Sequence, residues 1–421
     1  MLGLVLSILT LMGFQVVIKV LKSMSRRVAV IGVAAYPFRA RHPNMTYNAL
    51  AFETTKRVLR DAGISIKDVD SAVYGIYNDF FERQFMPDIY VHDHIGMMLK
   101  PGTRVTSGGA TGGYAIRTAY MEVASGLSDV VLCLGVEKSN DCYDPESKER
   151  TPELVKAIAF SSDMTWVYPL GSFPAASYVL PVRAHIEKFG NPTEESMARV
   201  SVKNHGNAVG NPYAQCPMKI TVEDVLKSRY ISEPFKKLDC CLYSEGAAAM
   251  ILASEEKVRQ WHVEHPVWIS GIGAGNDSVD GGLRDHLYSL TSNLIASRQC
   301  YKMAHITNPV RDFDVAELHD AFTGQEILSY EDCMFAPYGD GHKLIDEGVV
   351  CEGGELPVNL SGGLIGTGHA VGATGIYQGT EIVRQLRGDA IRQVKGAEKG
   401  FLHSVGGPLT AYCVCVAFER G

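Results

Sequence analysis

The stretch Ser361–Gly375 reads Ser-Gly-Gly-Leu-Ile-Gly-Thr-Gly-His-Ala-Val-Gly-Ala-Thr-Gly, which sets the one imidazole of His369 inside a run of six glycines. Backbone this free of side chains can approach a ligand closely. An extended segment, Leu356–Leu360, precedes it, and an amphipathic helix over Ile376–Leu386 follows, stopped by Gly388. A strand, a glycine loop and a helix in that order aim backbone N–H groups and a helix dipole at whatever binds, so negative charge is favoured there. A buried turn with a hydrogen-bonded histidine is the alternative, since a Gly-rich loop alone is a weak signal.

The rest of the chain alternates strands with helices. Val28–Ala34 reads as a buried strand, Tyr47–Gly63 as a helix stopped by glycine, and Asp68–Gly75 as a second strand. Gly108–Gly126 is a glycine-led helix and Asp129–Gly135 another buried strand, which together predict a parallel, helix-covered sheet. From Cys142 to about Ser228 the pattern breaks into charged helical pieces and Pro turns, as an insertion would. Ala247–Ala253 returns to strand, and then the first half recurs: Val267–Ala274 answers Val28–Ala34, Asp312–Leu318 answers Asp68–Tyr74, and Ala411–Phe418 answers Asp129–Gly135. Two such halves would bring two glycine-led helix N-termini face to face in one cleft.

Bulk properties narrow the class. A chain of 421 residues, 46% hydrophobic and 21% charged, is ordinary for a soluble globular protein, and its net charge of −7 argues against a nucleic-acid surface. The ten cysteines form no C-x-x-C pair, so no structural metal or disulfide framework is expected and the thiols fit a reducing cytoplasm. Leu2–Val17 is almost wholly apolar and is followed by Lys19, Lys22, Arg26 and Arg27. A membrane anchor would need about 20 apolar residues, and a cleavable signal would need a basic start and a small-residue cleavage site. The preferred reading is an extension, residues 1–24, ahead of a natural start at Met24; membrane contact is expected only if residues 1–23 are a genuine anchor.

The glycine run resembles the G-H-P-x-G-A-[ST]-G loop of the thiolase superfamily, with Ala370 where that family usually has proline. Glu317-Leu-His-Asp-Ala-Phe-Thr323 is similar to the H-D-C-F loop of its sterol-carrier-protein and archaeal branches, and Phe401-Leu-His-Ser-Val-Gly-Gly407 to the C-terminal C-x-G-G or H-N-x-G-G loop. The resemblance implies the α/β thiolase fold: two duplicated halves of mixed five-stranded sheets in a five-layered αβαβα arrangement. The halves would be residues 25–262, with the insertion at about 142–228, and 263–421. It also implies acyl-CoA chemistry at the carbon next to a thioester carbonyl, with coenzyme A as substrate or co-substrate and no metal or redox cofactor. His319 and His369 would hold the enolate and move protons, the backbone N–H of Gly406 would serve a second oxyanion site, and Ser404 stands where many thiolases keep an acid/base cysteine.

One position departs from that family. Its nucleophilic cysteine, counted from Thr111, Gly112 and Arg117, falls on Gly109, and neither Thr106 nor Ser107 is in register to replace it. Cys240 and Cys241 qualify by chemistry only, and a place in the core is the alternative for both. Family members without the cysteine include retro-aldolases that cleave β-hydroxyacyl-CoA with no acyl-enzyme. Tyr243 is a further acid/base or pocket candidate, and Trp166, Tyr168 and Phe173 are candidates for an acyl pocket. The expected function is therefore carbon–carbon bond breaking or forming through a thioester enolate, of thiolase or retro-aldol type. A non-catalytic subunit acting as scaffold or acyl-CoA binder is the rival. A homodimer is expected by resemblance, with a small OB-fold zinc-ribbon subunit as a further partner of the kind related branches use.

Overall fold

Strand β1 takes up the buried run at Val28 and continues to Arg39 in this computed structural model, which describes residues 26–139, 157–171 and 173–421. The apolar stretch 1–24 and the beginning of the expected insertion, Cys142 included, lie outside the described residues. Helix α1, Tyr47–Ala62, follows; the Thr46 side chain accepts from Ala49 N at its start and Gly63 closes it in the left-handed conformation. After β2 (Ser71–Gly75) and β3 (Gly102–Val105) come helix α2 (Thr111–Ser125) and strand β4 (Val130–Lys138). The described part of the insertion is mainly helical, with α3 over Pro174–Phe189 and α4 over Glu194–Asn207, and β5 (Glu245–Ser254) rejoins the sheet.

The second half runs β6 (Val267–Asn276), α5 (Thr291–Ala304), β7 (Val315–Glu317) and α6 (Thr323–Asp332). It ends with α7 (Gly363–Thr367), α8 (Val371–Arg387), β8 (Lys399–Gly406) and β9 (Tyr412–Arg420). Leu356–Leu360 contributes one bridge, Val358 with Ala316, instead of a full strand. The glycine run is more helical than expected: α7 lies inside it, and α8 begins at Val371, five residues before the expected Ile376.

Nine strands are ordered β3-β2-β4-β5-β1-β6-β9-β8-β7, five from the first half and four from the second. The halves meet where β1 pairs antiparallel with β6 at Ala29–Trp268 and Val30–Val267. The parallel sheet predicted from alternation is in fact mixed. Only β2 with β3, β2 with β4, and β7 with β8 are parallel, because β5 and β9 return antiparallel to neighbours in their own halves.

Packing makes the layers. Ala115, Ile116 and Ala119 of α2 and Ile376, Ile382 and Leu386 of α8 are buried together with Val73, Val131 and Met250 from one half and Leu402, Val414 and Val416 from the other. Both helices therefore form the central layer. On the outer face of the first half, Leu50, Ala51 and Val58 of α1 pack on Ala72, Leu132 and Ile251; on that of the second, Ala296 and Cys300 of α5 pack on Phe401, Cys413 and Cys415. Each large apolar side chain removed from water contributes about 1.5–3 kcal/mol, so three apolar clusters, the central one shared by both sheet faces, hold the strand ends firmly enough to carry a site. Among the described residues the cysteines are all free thiols.

Candidate active site

Both central helices begin at one cavity. Gly108 and Gly109, just before α2, and His369 and Val371, at the start of α8, line it together with His319. The α8 start is held by contact with strand ends: a Cβ on Gly372 would lie 2.3 Å from Gly75 O, so only glycine lets the helix dock there.

His319 leaves β7 through Leu318, whose N–H donates to Asn359 Oδ1 at 2.8 Å. The next residue, Asp320, accepts the N–H groups of Leu364 (2.6 Å) and Ile365 (3.2 Å) at the start of α7, and Asn204 Nδ2 at 2.7 Å. That buried carboxylate fixes the His319 loop to the glycine run. Backbone bonds on both sides fix His369 in turn: its N–H donates to Leu242 O and Ser244 Oγ, each at 2.9 Å, and its carbonyl accepts Ser244 N–H at 3.1 Å.

The two rings stand edge to face, with centroids 5.2 Å apart and planes at 86°. His369 Nδ1 lies 2.8 Å from Thr374 Oγ1, whose hydroxyl donates to Ala370 O at 3.1 Å. The hydroxyl proton being spent there, Nδ1–H is the donor to Thr374, and Nε2 carries a free lone pair. His319 is 1% exposed and its Nδ1 has no partner. Burial lowers the pKa of His369 to about 3, and burial with His369 and His403 nearby holds that of His319 well below the ordinary 6.5. Both imidazoles are neutral at working pH, each with one donor and one acceptor.

At Gly109 the space for a side chain is taken. A Cβ there would lie 2.5 Å from Val405 O and 3.0 Å from both Cε1 and Nε2 of His319. Gly406 packs its backbone against the same turn, since a Cβ on it would lie 2.4 Å from the N atoms of Gly109 and Ala110; the cavity wall itself is made by Gly407.

Ser404 does not reach the cavity. Phe401–Gly407, read as a loop, is strand β8 up to Gly406, and alternation along a strand turns Ser404 toward the central helices. Cβ atoms built on Gly113 and Gly375 would lie 2.7 Å from Ser404 Cβ and 2.8 Å from its Oγ. His403, on the opposite face, accepts the His319 backbone N–H at Nδ1, 3.4 Å away.

Of the aromatic candidates, Phe173 lines the cavity, Tyr168 packs on Phe160 with centroids 6.0 Å apart, and Trp166 is 77% exposed. Tyr243 lines it too, stacked on His369 at 6.3 Å. Cys240 donates to Lys236 O at 3.3 Å, away from the cavity, while Cys241 lines the wall, positioned by its N–H bond to Ala321 O at 2.9 Å. Burial drives the Cys241 thiol well above its ordinary pKa of 9.0, which opposes thiolate formation. Sequence reasoning missed Tyr77, Tyr178 and Phe322 as wall residues; the spacing of Cys241 and Tyr243, two apart before a strand, was the available sign that both share a face. Among the described residues, no group of three or more His, Cys, Asp and Glu is placed to hold a metal ion, and no helix is long and apolar enough to cross a membrane.

Comparison with known proteins gives the same pattern along the chain. Residues 28–256 match the family described as thiolase, N-terminal domain, and residues 277–418 the family described as thiolase C-terminal domain-like. An acetyl-CoA acetyltransferase of Methanothermobacter thermautotrophicus is 38% identical over 385 residues, covering 91% of this chain and 97% of that protein. Sterol carrier protein 2 of Gallus gallus is 35% identical over 91% of this chain and 70% of its own length. Among solved structures, the Ltp2-ChsH2(DUF35) aldolase superposes with a TM-score of 0.79 at 26% identity, covering 94% of this chain and 98% of that one.

Proposed function

This chain belongs to the thiolase superfamily, in its sterol-carrier-protein-like branch, and we propose that it cleaves a β-hydroxyacyl-CoA by a retro-aldol reaction that passes through a thioester enolate and no acyl-enzyme. Gly109 carries this reading: the position that would bear the nucleophile has no side chain, and Val405 O and the His319 ring crowd the space that one would need.

His369 Nε2 takes the proton of the β-hydroxyl. The Cα–Cβ bond then breaks, its electron pair moves into the thioester as an enolate, and the β-carbon leaves as an aldehyde or ketone. An N–H of His319 holds the enolate oxygen, and the protonated His369 returns its proton to Cα, giving the shortened acyl-CoA. A positioned general base contributes about 10²–10⁴-fold and one oxyanion donor about 3–4 kcal/mol. Burial keeps His369 neutral, so Nε2 has a lone pair for the first step, and it makes the conjugate acid a ready proton donor in the second. The assembly proposed is a homodimer, with a small second subunit of the kind named with the aldolase it resembles.

Purified protein, alone and with its genomic neighbour, incubated with matched β-hydroxy- and β-ketoacyl-CoA tests the reaction. Cleavage of the β-hydroxy substrate without free CoA is expected. CoA-dependent cleavage of the β-keto substrate with a trapped acyl-enzyme would replace this reading by thiolysis, and tight acyl-CoA binding with no turnover would replace it by a scaffold.

A further inference from the structure

Glu137, near the end of β4, is 2% exposed, and two backbone donors meet its carboxyl. Its Oε2 accepts the N–H of Tyr77 at 3.0 Å and of Gly372 at 2.9 Å, and Asn78 follows Tyr77 directly in the chain. Each donor leads to a different part of the cavity. Tyr77 is itself wall. Gly372 is the second residue of α8, three after His369, and follows the wall residue Val371. Asn78 passes the connection on, for its Nδ2 donates to Ala157 O at 3.2 Å, and Ile158, Ala159 and Ser161 of that segment line the cavity.

We propose that Glu137 is a positioning residue that locks three walls to one another: the Tyr77 turn, the 157–162 segment and the start of α8 beside His369. It touches none of the reacting atoms and acts through the backbone it holds. The docking leaves little slack, since a Cβ on Gly372 would already lie 2.9 Å from Glu137 Oε2. The bonds need an acceptor and not a charge. Burial raises the Glu137 pKa to about 7, so at neutral pH the carboxyl is in part uncharged already.

The activity arm of the test rests on the proposed function; the exchange arm does not. In the full chain, Glu137→Ala is expected to speed amide exchange about tenfold over peptides covering 76–80 and 371–374, as loss of roughly one hydrogen bond would. It is also expected to lower kcat about 10- to 100-fold, the scale of a misplacement near 1 Å. Glu137→Gln keeps an acceptor oxygen and is expected to restore both to within about threefold, which a role in folding alone would not require of kcat. Unchanged exchange in the alanine variant, or a glutamine variant as impaired as alanine, would overturn the proposal. Altered exchange in a chain that cleaves neither substrate would leave this proposal standing and remove the retro-aldol reading.

Discussion

A Cβ atom on Gly109 would stand 3.0 Å from Nε2 of His319, so a side chain at the first position would press on the imidazole of the second, besides meeting Val405 O at 2.5 Å. Gly109→Ala is accordingly expected to destabilise the fold by about 1–3 kcal/mol, as overpacking does, and to reduce turnover by displacing His319. Gly109→Cys restores the residue type that thiolases use and is expected to give no trapped acyl group by intact-protein mass spectrometry. A cysteine variant that acquired CoA-dependent cleavage of a β-ketoacyl-CoA would show that the histidine yields its place.

The bond from His369 Nδ1 to Thr374 Oγ1 sets which nitrogen is free to act. Thr374→Val is close in shape and leaves a buried donor unpaired, a change of about 1–3 kcal/mol. We expect kcat to fall with KM little altered, and Thr374→Ser to recover most of the loss. His369→Ala removes the base itself, for which a loss of about 10²–10⁴ in kcat is expected. Equal rates in Thr374→Val and the parent would show that the hydroxyl does not orient the ring.

How far the site was legible follows from how each residue reaches it. His319 and His369 sit in short contiguous motifs, so the sequence around each carries its meaning, even though Asn359, Leu242 and Ser244 from other segments hold them in place. Ser404 was misplaced because the residues leading to Gly406-Gly407 read as a loop; as a strand they alternate, and His403, not Ser404, faces His319. The early start of α8 was hidden by glycines that count against a helix in isolation. Packing against Gly75 and the carboxyl of Glu137 outweighs that propensity. Tyr178, Phe322 and Cys241 come from three separate segments, and no local pattern brings them to one wall. The two-halved plan was legible because period and punctuation repeat in both halves, whereas the five layers followed only from the resemblance to thiolases.

Stability should have a plateau in mildly acidic solution. In the folded chain the pKa values of His369 and His403 fall from 6.5 to about 3 and that of His319 lies well below 6.5. The unfolded chain therefore binds more protons below about pH 6.5, and stability is lost as pH falls from there. Buried carboxyls act in the opposite sense: desolvation raises Glu137 and Glu317 from 4.5 to about 7 and about 8, Asp320 from 3.8 to about 7 and Asp239 from 3.8 to about 6, and lifts Asp332 and Glu381 as well. Their contribution is present below their unfolded values and is lost as pH rises through the folded ones. Between about pH 4.5 and 6.5 the two slopes, each about 1.4 kcal/mol per unit per group at most, oppose one another. Urea midpoints from pH 3.5 to 9 should be flat across that interval and decline on either side. A midpoint that climbed steadily to pH 8 would contradict the carboxyl assignments. Turnover should likewise show no acid limb near pH 6.5 from these imidazoles.

The loop that presents His319 rests on a buried ion pair. Lys203 Nζ lies 2.7 Å from Glu326 Oε1, with side chains 4% and 0% exposed, and also donates to Val358 O at 2.9 Å. Glu326 Oε2 accepts Asn204 Nδ2 at 2.6 Å and Asn359 Nδ2 at 2.8 Å, and Tyr330 donates its hydroxyl to Oε1. Asn359 in turn receives the N–H of Leu318, and Asn204 bonds Asp320, so the network grips the chain on both sides of His319. Lys203→Met would leave the carboxylate buried without its counter-charge, for which a loss of about 3–5 kcal/mol is expected. Exchanging both partners for apolar residues often removes such a penalty, but here Asn204, Asn359 and Tyr330 would each lose an acceptor. The double variant Lys203→Met with Glu326→Leu should therefore recover stability only in part and still lose kcat, read by urea unfolding and by cleavage rate. Full recovery of both would show that the network does not hold His319 in place.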